Sequence, residues 1–340
     1  MVSCRARAFI LISALWTLAF LTVLVVMLLA GVRQRVILFQ RLEDRSRAQF
    51  AVEAGVKKAI AVLLDDMENS QFKLTPNAKM RRLNNPGEFA NILVGDLRVE
   101  VVHESMDDKS SDRVTLWGLA DEQAKMNINT ASADSIKRLI VEVLGWGGAE
   151  AKGLADAIAD WRDYGRHEAQ GFFSDDYYKS LEFPYAMKEQ PFERPDELLL
   201  VKGVDRKIFD ALLPFVTVYG DGRININTVS RKVLVALGLD EAVAEKVLKA
   251  RRGVDNVEAT QDDHIFSHTF DVAAETSKVV VVEAREARQI DELNAKSLLT
   301  TESGFYSFVS RVPAADGGYK RIVTGVFSAF ESRIVYWYEK

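Results

Sequence analysis

The chain has 340 residues, 48% hydrophobic and 27% charged, with a formal net charge of −5 and one cysteine, Cys4. That length allows two folded units or one elaborated one. The mild acidity argues against general binding to nucleic acid or an anionic surface, and a single cysteine excludes any disulfide within the chain.

Ala8 to Val32 is uncharged and bracketed by Arg5 and Arg7 before it and Arg33 and Arg35 after it. Such a run of about 25 residues predicts a membrane-spanning helix, the one open structure that satisfies its own backbone hydrogen bonds in hydrocarbon. It is too long for the apolar region of a cleaved secretory signal, which spans about 7–15 residues. A fixed signal-anchor is the plain alternative. Charge does not set the orientation, because arginines flank both ends. Val36, Ile37, Leu42, Phe50, Val52, Val56, Ala59, Ile60 and Leu63 then recur near helical spacing. The helix is therefore expected to continue to about Leu64, greasy all round at first and amphipathic afterwards.

Asp65 to Gly87 reads as a loop, with Asn84-Asn85-Pro86-Gly87 as a turn. Leu97 to Val102 alternates as a strand, Met106 to Asp112 is a polar turn, and Arg113 to Leu119 is the partner strand. Met126-Asn127-Ile128-Asn129-Thr130-Ala131-Ser132 opens a helix carrying Ile136, Leu139, Ile140 and Val143. Thr130 or Ser132 would cap it and Gly145 would end it. A second helix follows from Ala149 to Trp161, and Glu197 to Pro214 supplies a short helical pair turning at Gly203. The opening recurs about 100 residues downstream as Arg223-Ile224-Asn225-Ile226-Asn227-Thr228, before a helix ending at Gly253. A duplicated helical hairpin is the simplest account. Val254 to Ser277 reads as a linker and Lys278 to Glu283 as a buried strand. Ser303 to Val312, Tyr319 to Glu331 and Ser332 to Tyr338 are closing strands, the first two joined at Asp316-Gly317-Gly318.

The fold expected is α+β. A long N-terminal helix packs on an antiparallel sheet, and a helix-hairpin-helix-like domain is inserted in that sheet. The divisions fall at residues 1–8, 9–64, 65–125, 126–255 and 256–340.

No nucleophile elbow or phosphate loop is present, so no catalytic residue is assigned. The histidines are His103, His167, His264 and His268; the last two are four apart, but their stretch lacks helical patterning and they read as solvated loop histidines. Asp160, Asp163, Asp175 and Asp176 gather oxygen ligands around one loop, which suits Ca²⁺; solvated acids are the plain alternative. The hairpins resemble DNA-binding modules, but Asp121 to Val216 carries 18 acidic and 12 basic residues. DNA affinity depends largely on cationic contacts, so this block would repel it. Only Arg223 to Gly253 is basic, with seven basic and three acidic residues. A membrane-tethered DNA-binding protein of competence type is the alternative function on that ground.

Five features together resemble the K-type minor pseudopilins of the bacterial type II secretion system. They are Arg7-Ala8-Phe9-Ile10-Leu11, Leu15-Trp16-Thr17-Leu18-Ala19, the two Asn-Ile-Asn-Thr motifs, Ala159-Asp160-Trp161-Arg162-Asp163, and the stretch from Asp176-Tyr177-Tyr178 through Pro191-Phe192 to Val201-Lys202-Gly203. The resemblance implies cleavage by prepilin peptidase between Ala8 and Phe9, where the family usually has glycine before the cut. It makes Ser13 the fifth mature residue, a position that is glutamate in most pseudopilins. It implies an inner-membrane anchor with the soluble part in the periplasm. The implied role is a non-enzymatic one at the pseudopilus tip, beside I- and J-type minor pseudopilins, the major pseudopilin and exported substrates. Calcium in the insert is a property of some members.

Overall fold

The structure is a computed structural model that describes residues 2–69, 74–106, 113–163 and 176–340, with side chains from Ser13 onward. It divides into two compact units, residues 1–51 and 52–340. Helix α1 (Val2–Asn69) supplies all of the first unit and begins the second. Within it, the stretch from Ser13 is long and apolar enough to cross a membrane. Leu15, Trp16, Phe20, Met27 and Leu29 are all exposed there. Thr17 and Thr22 return their hydroxyl protons to the carbonyls of Ala14 and Ala19, at 2.9 and 2.8 Å. An apolar helix surface with its few hydroxyls satisfied internally is what hydrocarbon requires.

In the second unit α1 turns amphipathic, and Val52, Val56, Ala59 and Leu63 are buried on one face. It ends five residues beyond the expected Leu64. Polar Asp65 to Gly87 is not a simple loop. Helix α2 (Pro76–Leu83) starts there with Thr75 accepting the Ala78 N–H, and α3 (Pro86–Phe89) starts with Asn85 accepting the Glu88 N–H. Proline at the first helical position fits both starts, because that N–H has no intrahelical partner anyway.

The sheet follows with β1 (Ile92–Val94), β2 (Leu97–Met106), β3 (Arg113–Trp117) and β4 (Ala120–Asp121). It closes after the insert with β9 (Phe305–Pro313), β10 (Tyr319–Ser328) and β11 (Arg333–Glu339). Its order is β1-β2-β9-β10-β11, with β3 beside β2 and β4 beside β9, all antiparallel. On β9, Tyr306, Phe308, Ser310 and Val312 alternate inward, the period of a half-buried strand. Gly55 lets α1 lie close on this face. A Cβ there would meet Ser310 Oγ at 2.6 Å and Val99 Cγ1 at 2.7 Å. Ser310 Oγ also donates to the Val52 carbonyl at 2.8 Å. Gly55→Ala is therefore expected to cost about 1–3 kcal/mol through overpacking, read as a lower urea midpoint of the full chain in detergent.

The insert leaves the sheet at Asp121 and returns at Phe305, and Asp121 pairs Tyr306 across β4 and β9. Its first half runs through β5 (Met126–Asn127), α4 (Ala133–Leu144), α5 (Gly148–Arg162), α6 (Asp176–Lys179), a 3₁₀ turn at Pro195–Leu200, α7 (Arg206–Leu212) and β6 (Val216–Thr217). Its second half runs through β7 (Ile224–Asn225), α8 (Arg231–Leu237), α9 (Glu241–Arg251), α10 (Val272–Ser277), α11 (Ala284–Ala295) and β8 (Leu299–Thr300). Each half closes with a two-residue parallel pair: Asn127 against Thr217, and Asn225 against Thr300.

Ser132, not Thr130, caps α4, accepting the Ser135 N–H, and Gly145 ends it in the left-handed conformation at φ 68°. The helical insert does not stop at 255. Val254 to Ser277 contains α10, and Lys278 to Glu283 is not a strand. Val279 and Val281 are exposed on a connection between α10 and α11, with no ladder to join. The repeat therefore runs to Thr300, and both halves share one apolar core that includes Ile136, Trp161, Leu198, Leu234, Val247 and Leu293.

Candidate functional site

Two consecutive asparagine roles build each half of the insert. The first asparagine makes a tight turn with its own backbone: Asn127 Oδ1 accepts the Asn129 N–H at 2.9 Å, and Asn225 Oδ1 accepts the Asn227 N–H at 3.1 Å. The second asparagine clamps a distant peptide. Asn129 donates to the Phe192 carbonyl and accepts its N–H, both at 2.8 Å. Asn227 repeats this on Phe266 at 3.0 and 2.8 Å, and also donates to the Thr301 carbonyl at 3.2 Å. An amide side chain carries a donor and an acceptor side by side, so it can pair the carbonyl and the N–H of one residue at once.

The second helix of each hairpin sends an arginine back to the motif. Arg162 on α5 donates to the Ile128 carbonyl. Arg251 on α9 donates to Ile226 and Val229 at 2.9 and 2.8 Å. Sequence reading picked out the asparagines but missed the arginine partners, and missed Phe192 and Phe266 as clamped peptides. The halves differ beside that arginine. Trp161 meets Tyr178 and Tyr185 edge-on, at 5.3 and 6.1 Å between centroids, whereas the position before Arg251 is Ala250.

Asp121, Glu122 and Gln123 join insert and sheet. Asp121 accepts from Asn225 Nδ2 at 2.8 Å, Thr228 Oγ1 at 2.7 Å and the Gln123 N–H at 2.8 Å. Burial pushes its carboxyl above the ordinary range against those hydrogen bonds. Glu122 accepts the Thr217 hydroxyl proton at 2.6 Å, and Gln123 Oε1 accepts the Gly304 N–H at 2.7 Å. Three adjacent side chains thus hold the second half, the first half and the returning sheet.

A second tie is ionic. Lys79 on α2 has no exposed side-chain surface and reaches Asp263 at 2.6 Å, as well as Glu258. Glu258 also accepts from Arg251 at 3.0 Å. The turn formed by residues 254–263, expected as linker, is therefore held by a buried charge cluster against the sheet side.

The remaining expected positions separate. Ala8 and Phe9 lie on the backbone of α1, and Ser13 begins its described side chains. Asp160 and Asp163 stand at the end of α5, with Asp163 accepting from Arg162 Nε at 3.1 Å; Asp176 starts α6. Asp175 lies outside the described residues. Among the described residues no group of three or more acidic, histidine or cysteine side chains is arranged to hold a metal ion, so Asp160, Asp163 and Asp176 do not by themselves make a calcium site.

The histidines are more engaged than expected. His264 Nε2 is 2.7 Å from Glu275, and His268 stacks on Phe270 with ring centroids 5.1 Å apart. His103 is buried, and that burial pushes it down to about 4. His167 lies outside the described residues.

Residues 113–221 match the family model described as type II secretion system (T2SS), protein K. This stretch contains the first asparagine unit and the junction residues. Over this stretch the chain is similar to the type II secretion system protein K family. Protein K of Aeromonas hydrophila is 35% identical over 111 residues, which cover 30% of this chain and 34% of that relative. Protein K of Pseudomonas aeruginosa is 31% identical over 160 residues, 46% of this chain and 45% of that one. The chain thus spans about a third to under a half of the length of the curated relatives it matches. A chain of the crystal structure of the GspK-GspI-GspJ complex from enterotoxigenic Escherichia coli has the same fold, with a TM-score of 0.62 at 15% identity. That match covers 89% of this chain and 99% of the other.

The structure gives the DNA reading no support. Of the basic residues after Arg223, Arg251 and Arg252 are buried and paired with Glu258. Arg223 pairs Asp221, Arg231 pairs Glu241, Lys246 pairs Glu286, and Lys232 lies over the Phe215 ring. Five of the seven cations between Arg223 and Gly253 are thus paired with a carboxylate within the fold, which reduces the counterion release available to drive phosphate binding.

Proposed function

We propose that this chain is a minor pseudopilin that stands at the tip of the type II secretion pseudopilus, where it starts or caps assembly for protein export across the outer membrane. The observation that carries this reading is an insert, residues 126–300, longer than the chain that makes the sheet, carried by a chain that is similar to protein K and whose first helix is of membrane-crossing length. A block of that size on a pilin-like sheet leaves no room for another subunit stacked above it. The role is structural. Ser13 supports it: a subunit with nothing above has no neighbouring amino terminus to neutralise, and a carboxylate buried there without a partner would be costly.

Processing between Ala8 and Phe9 frees the helix, which leaves the inner membrane for the filament core while the folded unit lies in the periplasm. The partners are I- and J-type minor pseudopilins, with which a chain of the same fold stands in the Escherichia coli complex, then the major pseudopilin and exported proteins. Co-expression with prepilin peptidase should yield a mature chain beginning at Phe9 by amino-terminal sequencing, and that chain should co-purify with I- and J-type subunits. A chain that retains Arg5 and Arg7 under these conditions is a fixed anchor, and the reading fails.

A further inference from the structure

A cleft of about 400 Å³ opens where the β7–β8 end of the insert meets the sheet. Pockets that hold a small ligand span roughly 300–1,000 Å³. Phe305 and Phe330 line this one together with Asp221, Arg223 and Glu302. Phe330 is 73% exposed, yet its place is built. A Cβ at Gly304 would fall inside the Phe330 ring, so the ring rests on bare backbone. That backbone is pinned on both sides: the Ala329 N–H donates to the Gly304 carbonyl, and the Gly304 N–H donates to buried Gln123, each at 2.7 Å. Phe305 meets Phe330 edge-on at 6.2 Å and stacks on Tyr219 at 6.2 Å with planes 23° apart. In the same lining, Arg223 Nε donates to Asp221 at 2.7 Å and the Arg223 backbone N–H donates to the same carboxylate at 3.1 Å. The pair is oriented while half of each side chain stays exposed.

The geometry points to a carbohydrate site that takes a β-linked pyranose chain. A fixed, exposed ring offers burial and dispersion to the C–H face of a sugar. Carboxylates and a guanidinium in the same cleft supply acceptors and donors for hydroxyls. Other ligands fit less well. A phosphate would face two carboxylates against one guanidinium. An extended peptide would need an open ladder, whereas the Thr300 carbonyl already accepts the Ile226 N–H at 3.0 Å. A wholly apolar ligand would strip water from three charges without replacing it. Only the source of the sugar rests on the proposed function: a periplasmic folded unit meets N-acetylated cell-wall glycan.

The test is isothermal titration of the full chain, in a zwitterionic detergent without a sugar headgroup, with chitotetraose and with cellotetraose. At least one should bind saturably. Phe330→Ala and Asp221→Asn should each weaken it by about fivefold or more, the scale of one aromatic contact, with the unfolding midpoint unchanged. Preference for chitotetraose assigns the site to N-acetylated glycan, and equal binding assigns it to the shared pyranose backbone. No saturable heat with either sugar, or binding unchanged in Phe330→Ala, overturns the inference. Co-purification with I- and J-type subunits is measured on the same preparations. Assembly without sugar binding sinks the sugar site alone, whereas wild-type chain that fails to assemble sinks the pseudopilin reading.

Discussion

Lys79→Met is expected to destabilise the folded unit by about 3–5 kcal/mol, the cost of removing one partner from a buried ion pair. Lys79 and Asp263 have no exposed side-chain surface, and Glu258 shares the same ammonium. Methionine fills the volume but strands Asp263, whereas Glu258 keeps Arg251 at 3.0 Å. Adding Asp263→Asn removes the stranded charge and should recover most of the loss, because a neutral amide can stay hydrogen bonded where an unpaired carboxylate cannot. Urea unfolding of the full chain in detergent measures both. A loss below about 1 kcal/mol for Lys79→Met, within the range of an exposed pair, would show that the cluster is solvated.

The same cluster sets an acid limit. Burial alone would raise Glu258, but Arg251 and Lys79 outweigh it and hold its carboxyl down to about 2, below its ordinary 4.5. A carboxylate depressed in the folded state contributes its full stability above pH 4.5 and loses it as pH falls through about 2. Wild type should therefore weaken over that window, and Lys79→Met should show a flatter acid branch.

Asn227→Ala is expected to cost about 3 kcal/mol or more, from at least two buried backbone groups stranded at about 1–3 kcal/mol each. Asn227 is fully buried and holds the Phe266 N–H, the Phe266 carbonyl and the Thr301 carbonyl together. Asn129 makes the matching clamp on Phe192, but it is only partly buried, so water can take over its partners. Asn129→Ala should therefore cost less, about 1–2 kcal/mol. The order of the two denaturation midpoints decides the matter. If Asn129→Ala proves the more damaging, the second half of the insert is not held by its asparagine clamp.

Elements with strong local signals were legible before any tertiary contact was considered. The apolar run from Ala8 requires a helix because no alternative satisfies its backbone in lipid. Ser132 and Gly145 bound α4 through capping chemistry confined to a few residues. The Asp316-Gly317-Gly318 turn joins β9 and β10 as expected, since hairpin geometry is set within the turn. The duplicated asparagine motifs, with the four other features and their order along the chain, brought out the resemblance to the protein K family.

What failed depended on distant partners. Lys278 to Glu283 has four successive valines, a strand composition, yet it stays unpaired because β-propensity becomes a strand only beside a free ladder. The turn at residues 254–263 looked like linker because its acids are meaningful only against Lys79, far earlier in the chain. Asp121, Glu122 and Gln123 gave no local signal, since each acts through a contact with a different part of the fold. Sequence alone thus determined the membrane helix, the hairpins and the repeat, because capping, periodicity and apolar length act within one turn or one segment. Tertiary structure alone decided where the insert ends, which peptides the asparagines clamp and which charges are buried, because those depend on groups that only folding brings within hydrogen-bond reach.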